Sequence, residues 1–209
     1  MGRVIVALSV SVDGFFEGPG GDLSWHRVDE ELHTHFNEEL ATMSAFLDGR
    51  VMHELMAAFW PTADQDPASS APEREFARIW RDMPKVVYSR TLERADWNAR
   101  IVREVVPEEV RELTARGDVA LGGADLAASF ERLGLVDEYR LYVQPVVLGR
   151  GRRLFAEGAG LDLRLEETRR FGNGVVLLRY GRAEGERPAR AEGERPARAV
   201  GERPARGGG

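Results

Sequence analysis

Three short segments carry residue types that can bind a phosphate group. Two of them place an arginine beside a turn, at Gly49-Arg50 and at Ser89-Arg90, and arginine forms planar, charge-assisted pairs with phosphate oxygens. The third is Gly122-Gly123, which an amphipathic helix pattern follows at once. Glycines at such a junction let a ligand approach the unpaired N–H groups of the first helical turn, at the positive end of the helix dipole. Together the segments predict a cradle for a dinucleotide with an additional phosphate, although a lone Gly-Gly more often marks a turn without a ligand.

These three segments, and a fourth at Ser11–Phe15, follow strand-like runs. Strands are predicted where the residues are apolar and β-branched, at Arg3–Val10, Ala45–Leu47, Lys85–Ser89, Ile101–Val105, Val119–Leu121, Glu138–Leu148, Leu161–Arg169 and Val175–Tyr180. The turn Gly172-Asn173-Gly174 suits a hairpin between the last two strands. Because open α/β sheets bind ligands at the carboxyl ends of their strands, all four segments are predicted to meet at one edge.

Helical spacing of apolar residues separates most of these strands. Helices are predicted at Asp29–Met43, Val51–Phe59, a segment ending at Met83, Pro107–Arg116 and Ala124–Leu133. This alternation predicts one α/β domain over residues 1–182, with a mixed, mostly parallel central sheet, helices on both faces and a C-terminal antiparallel hairpin.

The composition excludes several classes of protein. The chain of 209 residues has no cysteine, which excludes disulfides, thiolate metal sites and cysteine nucleophiles. Its net charge of −6 argues against general nucleic-acid binding, which needs a basic face. No run approaches the ~18 apolar residues of a spanning helix, and no cleavage signal follows the N-terminus. We therefore expect a cytoplasmic protein without a membrane partner.

Residues 183–209 form a separate, repetitive segment. AEGERPAR occurs twice, followed by AVGERPAR and three glycines, with no aromatic residue. Such a segment buries too little apolar surface to offset its ordering entropy, so we predict disorder. Repeat expansion without a selected function is one origin, and an interaction tail is the alternative.

The histidines do not predict a metal site. His33 and His35 point about 200° apart on a helix and cannot share an ion. His26 and His53 have no acidic partner at a suitable spacing.

The order of the motifs resembles the dihydrofolate reductase-like superfamily, in the branch that contains the reductase domain of the riboflavin-biosynthesis deaminase-reductase. The matching motifs, in family order, are ALSVSVDGFFEG, Trp25, DGR with Glu54, FWP, KVVYSRTL, Trp97, LGGADL and LVDEYRLYVQPVVLGRGRRLF. The resemblance implies a three-layer fold and hydride transfer from NADPH to a small heterocyclic or carbonyl substrate, similar to the reaction of 5-amino-6-(5-phosphoribosylamino)uracil reductase.

The resemblance also implies a set of cofactor-binding residues. The nicotinamide side would be lined by Ala7, Gly14 and Phe15. The adenosine 2′-phosphate and the neighbouring pyrophosphate would meet Gly49, Arg50, Ser89 and Arg90. The pyrophosphate at the helix start would be wrapped by Gly122, Gly123, Ala124, Asp125 and Leu126.

For the substrate side, Asp13 is the candidate for proton supply or substrate orientation, and its alternative role is to cap the turn before Gly14. Trp25 either stacks on a planar substrate or packs the loop. Pro145 and Val146 would form a substrate wall in a region that helps build a homodimer. The remaining tryptophans are interpreted as core or interface anchors, namely Trp60, Trp80 and Trp97.

One residue departs from the family pattern. Met52 stands where the family commonly has a threonine whose hydroxyl helps to hold phosphate. A non-catalytic nucleotide- or metabolite-binding protein that kept the fold is therefore the second hypothesis, and a protein that acts through its repeat tail is the third.

Overall fold

An eight-stranded sheet is the frame of this computed structural model, which describes residues 2–155 and 160–183. Its strands, in spatial order, are β5 (Ala99–Val102), β4 (Lys85–Tyr88), β3 (Ala45–Gly49), β6 (Val119–Gly122), β1 (Val4–Ser11), β7 (Glu138–Gln144), β10 (Val176–Arg182) and β9 (Leu163–Arg170). Neighbours from β5 to β7 are parallel, and β10 runs antiparallel to both β7 and β9. The predicted mixed sheet and C-terminal hairpin are confirmed. The predicted disorder of 183–209 concerns residues that, Ala183 apart, lie outside the described part.

Helices connect the parallel strands and cover both faces of the sheet. In the described part they are α1 (Glu30–Ala41), α2 (Arg50–Phe59), α3 (Ala71–Asp82), α4 (Pro107–Thr114) and α5 (Ala124–Arg132). Short 3₁₀ turns lie at Pro19–Gly21 and Trp60–Gln65. None of these helices is long and apolar enough to cross a bilayer.

The core divides into layers because side chains alternate across the central strands. On β1, Ile5 packs in the cluster that contains Trp80 of α3. Its neighbours Val4 and Val6 point to the other face, into the cluster that contains Phe130 of α5. All five side chains are at most 1% exposed. The predicted three-layer arrangement is therefore confirmed.

Local capping signals set the helix starts. The Asp29 carboxylate accepts the N–H of Leu32 at 3.0 Å at the start of α1. Ser70 and Glu73 form a capping box at the start of α3, and Pro107 occupies the first turn of α4, as predicted.

The structure departs from the sequence prediction most clearly at the end of β7 and in an additional two-stranded ribbon. The alternating pattern predicts a strand to Leu148, but β7 ends at Gln144 because Pro145 has no N–H to continue the ladder. A separate ribbon pairs β2 (Phe15–Glu17) with β8 (Arg152–Arg153). The ribbon brings the loop after β1 against the segment after β7, and no local pattern predicts it.

Lys85, the single lysine of the chain, is buried at the start of β4. Its ammonium donates to the backbone carbonyls of Met83 at 2.9 Å and Trp97 at 3.0 Å, and to that of Trp80. Burial lowers the pKa of Lys85 to about 8. Trp97 itself has a φ of 62° and is 43% exposed, so the core alternative for this residue is wrong and the interface alternative stays a prediction. Its carbonyl, rather than its ring, holds the loop in place.

Candidate functional site

Two adjoining cavities open near the carboxyl ends of β1, β3 and β6. The α5 cavity, about 430 Å³, lies between the start of α5 and the β3–α2 junction. The α1 cavity, about 540 Å³, lies among α1, α2 and the sheet. The residues that line both are Leu8, Ser9, His26 and Met52. Because these four residues line both, the two cavities adjoin, and together they form the candidate cleft.

Two helix N-termini line the α5 cavity. Gly49 precedes α2 and Gly123 precedes α5, and neither helix has a side-chain cap on its first N–H groups. Gly123 has a φ of 89°, a conformation that favours glycine. Uncapped N–H groups at the positive ends of two helices make this cavity suitable for an anion. The structure thus brings the predicted segments after β3 and β6 to one cavity.

Arg50 supplies a guanidinium group at the mouth of the α5 cavity. It pairs with Glu54 one turn along α2, at 2.6 Å between Nη1 and Oε2, and both side chains are about half exposed. An exposed pair of this kind holds its partners weakly. Arg50 is therefore free to turn toward a bound anion.

Arg152 also lines the α5 cavity, and the sequence prediction missed it. Its guanidinium contacts Glu17 at 3.0 Å and Asp125 at 2.5 Å. It therefore links the β2–β8 ribbon to the first turn of α5 and balances the carboxylate of Asp125. The basic run LGRGRRLF marks the segment, but only the ribbon brings this arginine to the cleft.

The predicted segment Ser89-Arg90 lines a neighbouring surface depression of about 380 Å³. The Ser89 hydroxyl accepts the N–H of Leu92 at 2.9 Å, so it stabilises its own turn. Tyr88 and Ser129 line both this depression and the α5 cavity. The two predicted arginine segments are thus adjacent, although they do not share one cavity.

Six of the predicted cofactor residues line the α5 cavity: Gly49, Arg50, Gly123, Ala124, Asp125 and Leu126. Ala7 lines the α1 cavity. Gly122 ends β6 directly before this set. Their predicted contacts with a cofactor stay predictions.

The α1 cavity has a mostly apolar lining. Its apolar side chains include Val28, Phe36, Leu40, Met43, Met56, Phe59, Trp60 and Phe76. His33 contributes a ring that packs edge-on against Trp60, with the centroids 5.7 Å apart. The opposite-facing His35 packs on Tyr142 and Phe171 instead. The predicted divergence of the two histidines is confirmed.

His26 lies at the junction of the two cavities. Its Nε2 atom is buried and has no hydrogen-bond partner among the described residues. Burial lowers the pKa of His26, which favours the neutral ring. Sequence reasoning considered His26 only as a metal ligand, because nothing local to it indicates a cleft.

Trp25 lies beside His26 but outside the described residues that line the two cavities. Its ring meets the His26 ring edge-on at 4.2 Å, and its indole N–H donates to the carbonyl of Asp22 at 2.9 Å. These contacts favour the loop-packing alternative over stacking on a substrate.

Asp13 caps the loop between β1 and β2. Its carboxylate accepts the N–H groups of Leu148 and Gly149 at 3.1 and 2.7 Å, and the Ser11 hydroxyl at 2.7 Å. Burial opposes ionisation, but these hydrogen bonds outweigh it and lower the pKa of Asp13 to about 2. A carboxylate ionised at neutral pH has no proton to give. Of the two interpretations of Asp13, the contacts favour the turn cap.

The other predicted loop residues lie close to Asp13. Gly14 has a φ of 84°, and Phe15 is buried beneath the Arg153 guanidinium at 4.7 Å. Pro145 and Val146 follow β7, and the carbonyl of Val146 accepts the N–H of Val12 at 2.8 Å. These four residues are outside the sets that line the two cavities. Their roles toward nicotinamide, substrate and a second subunit stay predictions.

Comparison with known proteins gives consistent results. The sequence model of the RibD C-terminal domain family matches residues 3–177 of this chain. The uncharacterized protein YyaP of Bacillus subtilis (strain 168) is 36% identical over 182 residues, covering 85% of this chain and 94% of that protein. A putative riboflavin biosynthesis protein from Shewanella sp. PV-4 has a TM-score of 0.68 at 18% identity, covering 87% of this chain and 99% of that one.

A larger protein shares the same fold. A diaminohydroxyphosphoribosylaminopyrimidine deaminase/5-amino-6-(5-phosphoribosylamino)uracil reductase from Thermotoga maritima has a TM-score of 0.59 at 14% identity. The similarity covers 87% of this chain and 57% of that one.

Proposed function

The chain belongs to the RibD C-terminal domain family, and from this premise we propose that it is an NADPH-dependent reductase of a small heterocyclic or carbonyl substrate. The observation that carries the proposal is the pair of adjoining cavities. A cavity with two uncapped helix N-termini, suitable for an anion, adjoins a mostly apolar cavity, and the two share Leu8, Ser9, His26 and Met52 as lining residues. Hydride transfer requires such an arrangement, with a held cofactor beside a dry substrate site.

The α5 cavity would hold the phosphates of the nucleotide. The N–H groups that start α2 and α5 would meet the pyrophosphate, and Arg50 would pair with the adenosine 2′-phosphate. Ser89 and Arg90 would extend this site past Tyr88. Arg152 would offset the charge of Asp125, which otherwise repels a phosphate at this position.

The nicotinamide would then lie toward the shared residues and Ala7. A bound nicotinamide would supply a hydride to a substrate carbon, and the substrate oxygen or nitrogen would take up the displaced electron pair together with a proton from solvent. Ala7 and Leu8 of β1 would orient the reacting face. The apolar side chains around the α1 cavity would exclude water from it.

Titration of the purified protein with NADPH and NADH tests this proposal. Quenching of tryptophan fluorescence and the change in nucleotide fluorescence report binding. We expect NADPH to bind more tightly than NADH, followed by NADPH oxidation with carbonyl or heterocyclic substrates. Absence of binding for both nucleotides would reject the reductase function.

Met52 supports a second candidate function, a nucleotide- or metabolite-binding protein without catalysis. Its side chain occupies the junction of the two cavities, where the family commonly has a threonine. NADPH binding without turnover of any tested substrate would favour this candidate. The variant Met52→Thr should then tighten NADPH binding without creating activity.

A further inference from the structure

The described lining of the α1 cavity offers no cationic side chain that is open to a phosphate. Among the described residues that line it, Arg140 carries the one permanent positive charge. Its Nε lies 2.6 Å from Oε1 of Glu138, and its Nη1 contacts the carboxylate of Glu39. The side chain is 6% exposed. Arg140 is thus held by two carboxylates and has no open face for a substrate anion.

The carboxylates of the α1 cavity add a second barrier to anions. Glu39 is about one-third exposed and lies against Arg140. The Glu73 carboxylate accepts the N–H of Ser70 at 2.6 Å and caps α3. Because Arg140 is already paired, these carboxylates leave the wall of the cavity net negative, which disfavours a phosphate.

Aromatic rings give the α1 cavity a preference for flat molecules. Phe36, Phe59, Trp60 and Phe76 line it, and Trp60 meets Phe76 edge-on with centroids 4.5 Å apart. Planar apolar ligands gain both area burial and ring contacts in such a site. Burial also lowers the pKa of His33, which lines the same cavity, and favours its neutral form.

His26 supplies an unused polar contact at the entrance from the α5 cavity. Its buried Nε2 has no partner among the described residues. A buried polar atom without a partner costs free energy, so a ligand that reaches it gains by pairing with it. The geometry favours a ligand with one polar edge directed at His26.

We propose, on the basis of the reductase function proposed above, that the α1 cavity accepts flat, uncharged aromatic or heteroaromatic compounds without a phosphate, whose polar group pairs with Nε2 of His26. The phosphoribosyl substrate named for the Thermotoga maritima protein is of the class that this cavity excludes. The chain therefore shares its fold with that reductase but differs from it in substrate class.

Calorimetric titration with 1-naphthol and 1-naphthyl phosphate, without nucleotide, tests this inference. The ring is the same and only the phosphate differs. We expect 1-naphthol to bind at least tenfold more tightly than the phosphate ester. Equal or tighter binding of the ester, or no binding of 1-naphthol, overturns the inference. Because no nucleotide is present, the result is independent of the titration that tests the proposed function.

A charge-insertion pair tests where the discrimination arises. Val28 is 46% exposed and lines the α1 cavity, whereas Val147 is 68% exposed and lies outside both cavities. Val28→Arg should raise the affinity for 1-naphthyl phosphate about tenfold, and Val147→Arg should leave it unchanged. If both variants change the affinity for 1-naphthyl phosphate equally, the charge of the α1 cavity does not cause the discrimination against the phosphate.

The role of His26 is tested by comparing 1-naphthol with naphthalene, which lacks the hydroxyl group. In the wild type the hydroxyl should add about fivefold in affinity. This gain should disappear in His26→Phe and persist in part in His26→Gln, which keeps a hydrogen-bonding amide. If His26→Phe still binds 1-naphthol about fivefold more tightly than naphthalene, the hydroxyl group does not pair with His26. This holds whatever the variant does to the overall affinity.

Discussion

Gly122 lies beside Asp48 in the sheet: a Cβ atom added at Gly122 would stand 2.6 Å from Oδ1 of the Asp48 carboxyl group. Asp48 belongs to β3 and Gly122 to β6, and the two residues are register partners in adjacent parallel strands. The absence of a side chain at Gly122 therefore leaves room for the buried Asp48 carboxyl group next to β6. This contact is a packing requirement, separate from any ligand.

Gly122→Ala should destabilise the fold by about 1–3 kcal/mol, because the new methyl group also meets Met52 Cγ at 3.3 Å and neither neighbour can retreat freely. Gly49→Ala is the matched control, since its Cβ would lie 4.0 Å from Leu126 Cβ. Urea unfolding at pH 7 measures both variants. Equal stability of the two would show that the Asp48 carboxyl group moves aside without cost.

Asp48→Asn should change the pH dependence of stability. Burial raises the pKa of Asp48 to about 7, despite the opposing charge of Lys85. The unfolded value is ~3.9, so the folded state retains a proton that the unfolded chain releases, and stability falls as pH rises from about 4 to 7. Asp48→Asn has no such proton to retain, so its stability does not fall in this way. Between pH 4 and pH 7, the free energy of unfolding of the variant should therefore rise by on the order of 3 kcal/mol relative to that of the wild type, with no further rise above pH 7.

Urea unfolding of the wild type and of Asp48→Asn at pH 5, 6, 7 and 8 measures this change. Asp66→Asn, at an exposed position, is the control and should follow the wild type. A constant difference between Asp48→Asn and the wild type would mean that Asp48 is ionised throughout.

Asp13→Asn should change the pH dependence of stability in the opposite direction. The folded pKa of about 2 lies below the unfolded value of ~3.9, so the carboxylate contributes stability above pH 4 and loses it as pH falls toward 2. The Tm of the variant should be several degrees below that of the wild type at pH 7, and the gap should narrow from pH 4 to pH 2.5. Glu93→Gln, an exposed position, serves as the control. A Tm of Asp13→Asn equal to that of the wild type at pH 7 would contradict the role of Asp13 as a turn cap.

Arg50→Ala should weaken NADPH binding about 10- to 100-fold, the usual range for loss of a charge-assisted hydrogen bond, and should leave NADH binding almost unchanged. Glu54→Gln, which removes the surface partner of Arg50, should not weaken NADPH binding. Fluorescence titration with both nucleotides measures the effects. Equal losses for NADPH and NADH would contradict a contact with the 2′-phosphate.

Much of the fold could be predicted because its signals are local. The alternating runs of β1 and β6, the capping residues of α3 and the glycine turn at Gly172-Asn173-Gly174 each act within a few residues of one another. The hairpin closes through the Phe171 N–H and the Val175 carbonyl at 2.9 Å, as the turn predicts. Periodicity also located the carboxyl edge of the sheet, and with it the segments after β3 and β6.

The rest of the site depends on contacts that no local pattern records. The β2–β8 ribbon joins strands of three and two residues that are separated by more than 130 positions. The ribbon places Arg152 next to Asp125. From the sequence alone, Arg152 is indistinguishable from any other charged surface residue. His26 is comparable, because its importance comes from burial between two cavities whose walls belong to seven strands and four helices.

The burial of Lys85 makes this protein a single-site reporter of its own opening. An acylating reagent such as an N-hydroxysuccinimide ester needs a free, uncharged amine, and the one lysine amine of the chain is enclosed by three carbonyl groups. Modification of Lys85 therefore counts the molecules in which the end of α3 or the loop around Trp97 has opened away from β4. Mass spectrometry of one peptide would give the rate of that event in the folded protein, with no label introduced and no background from other lysines.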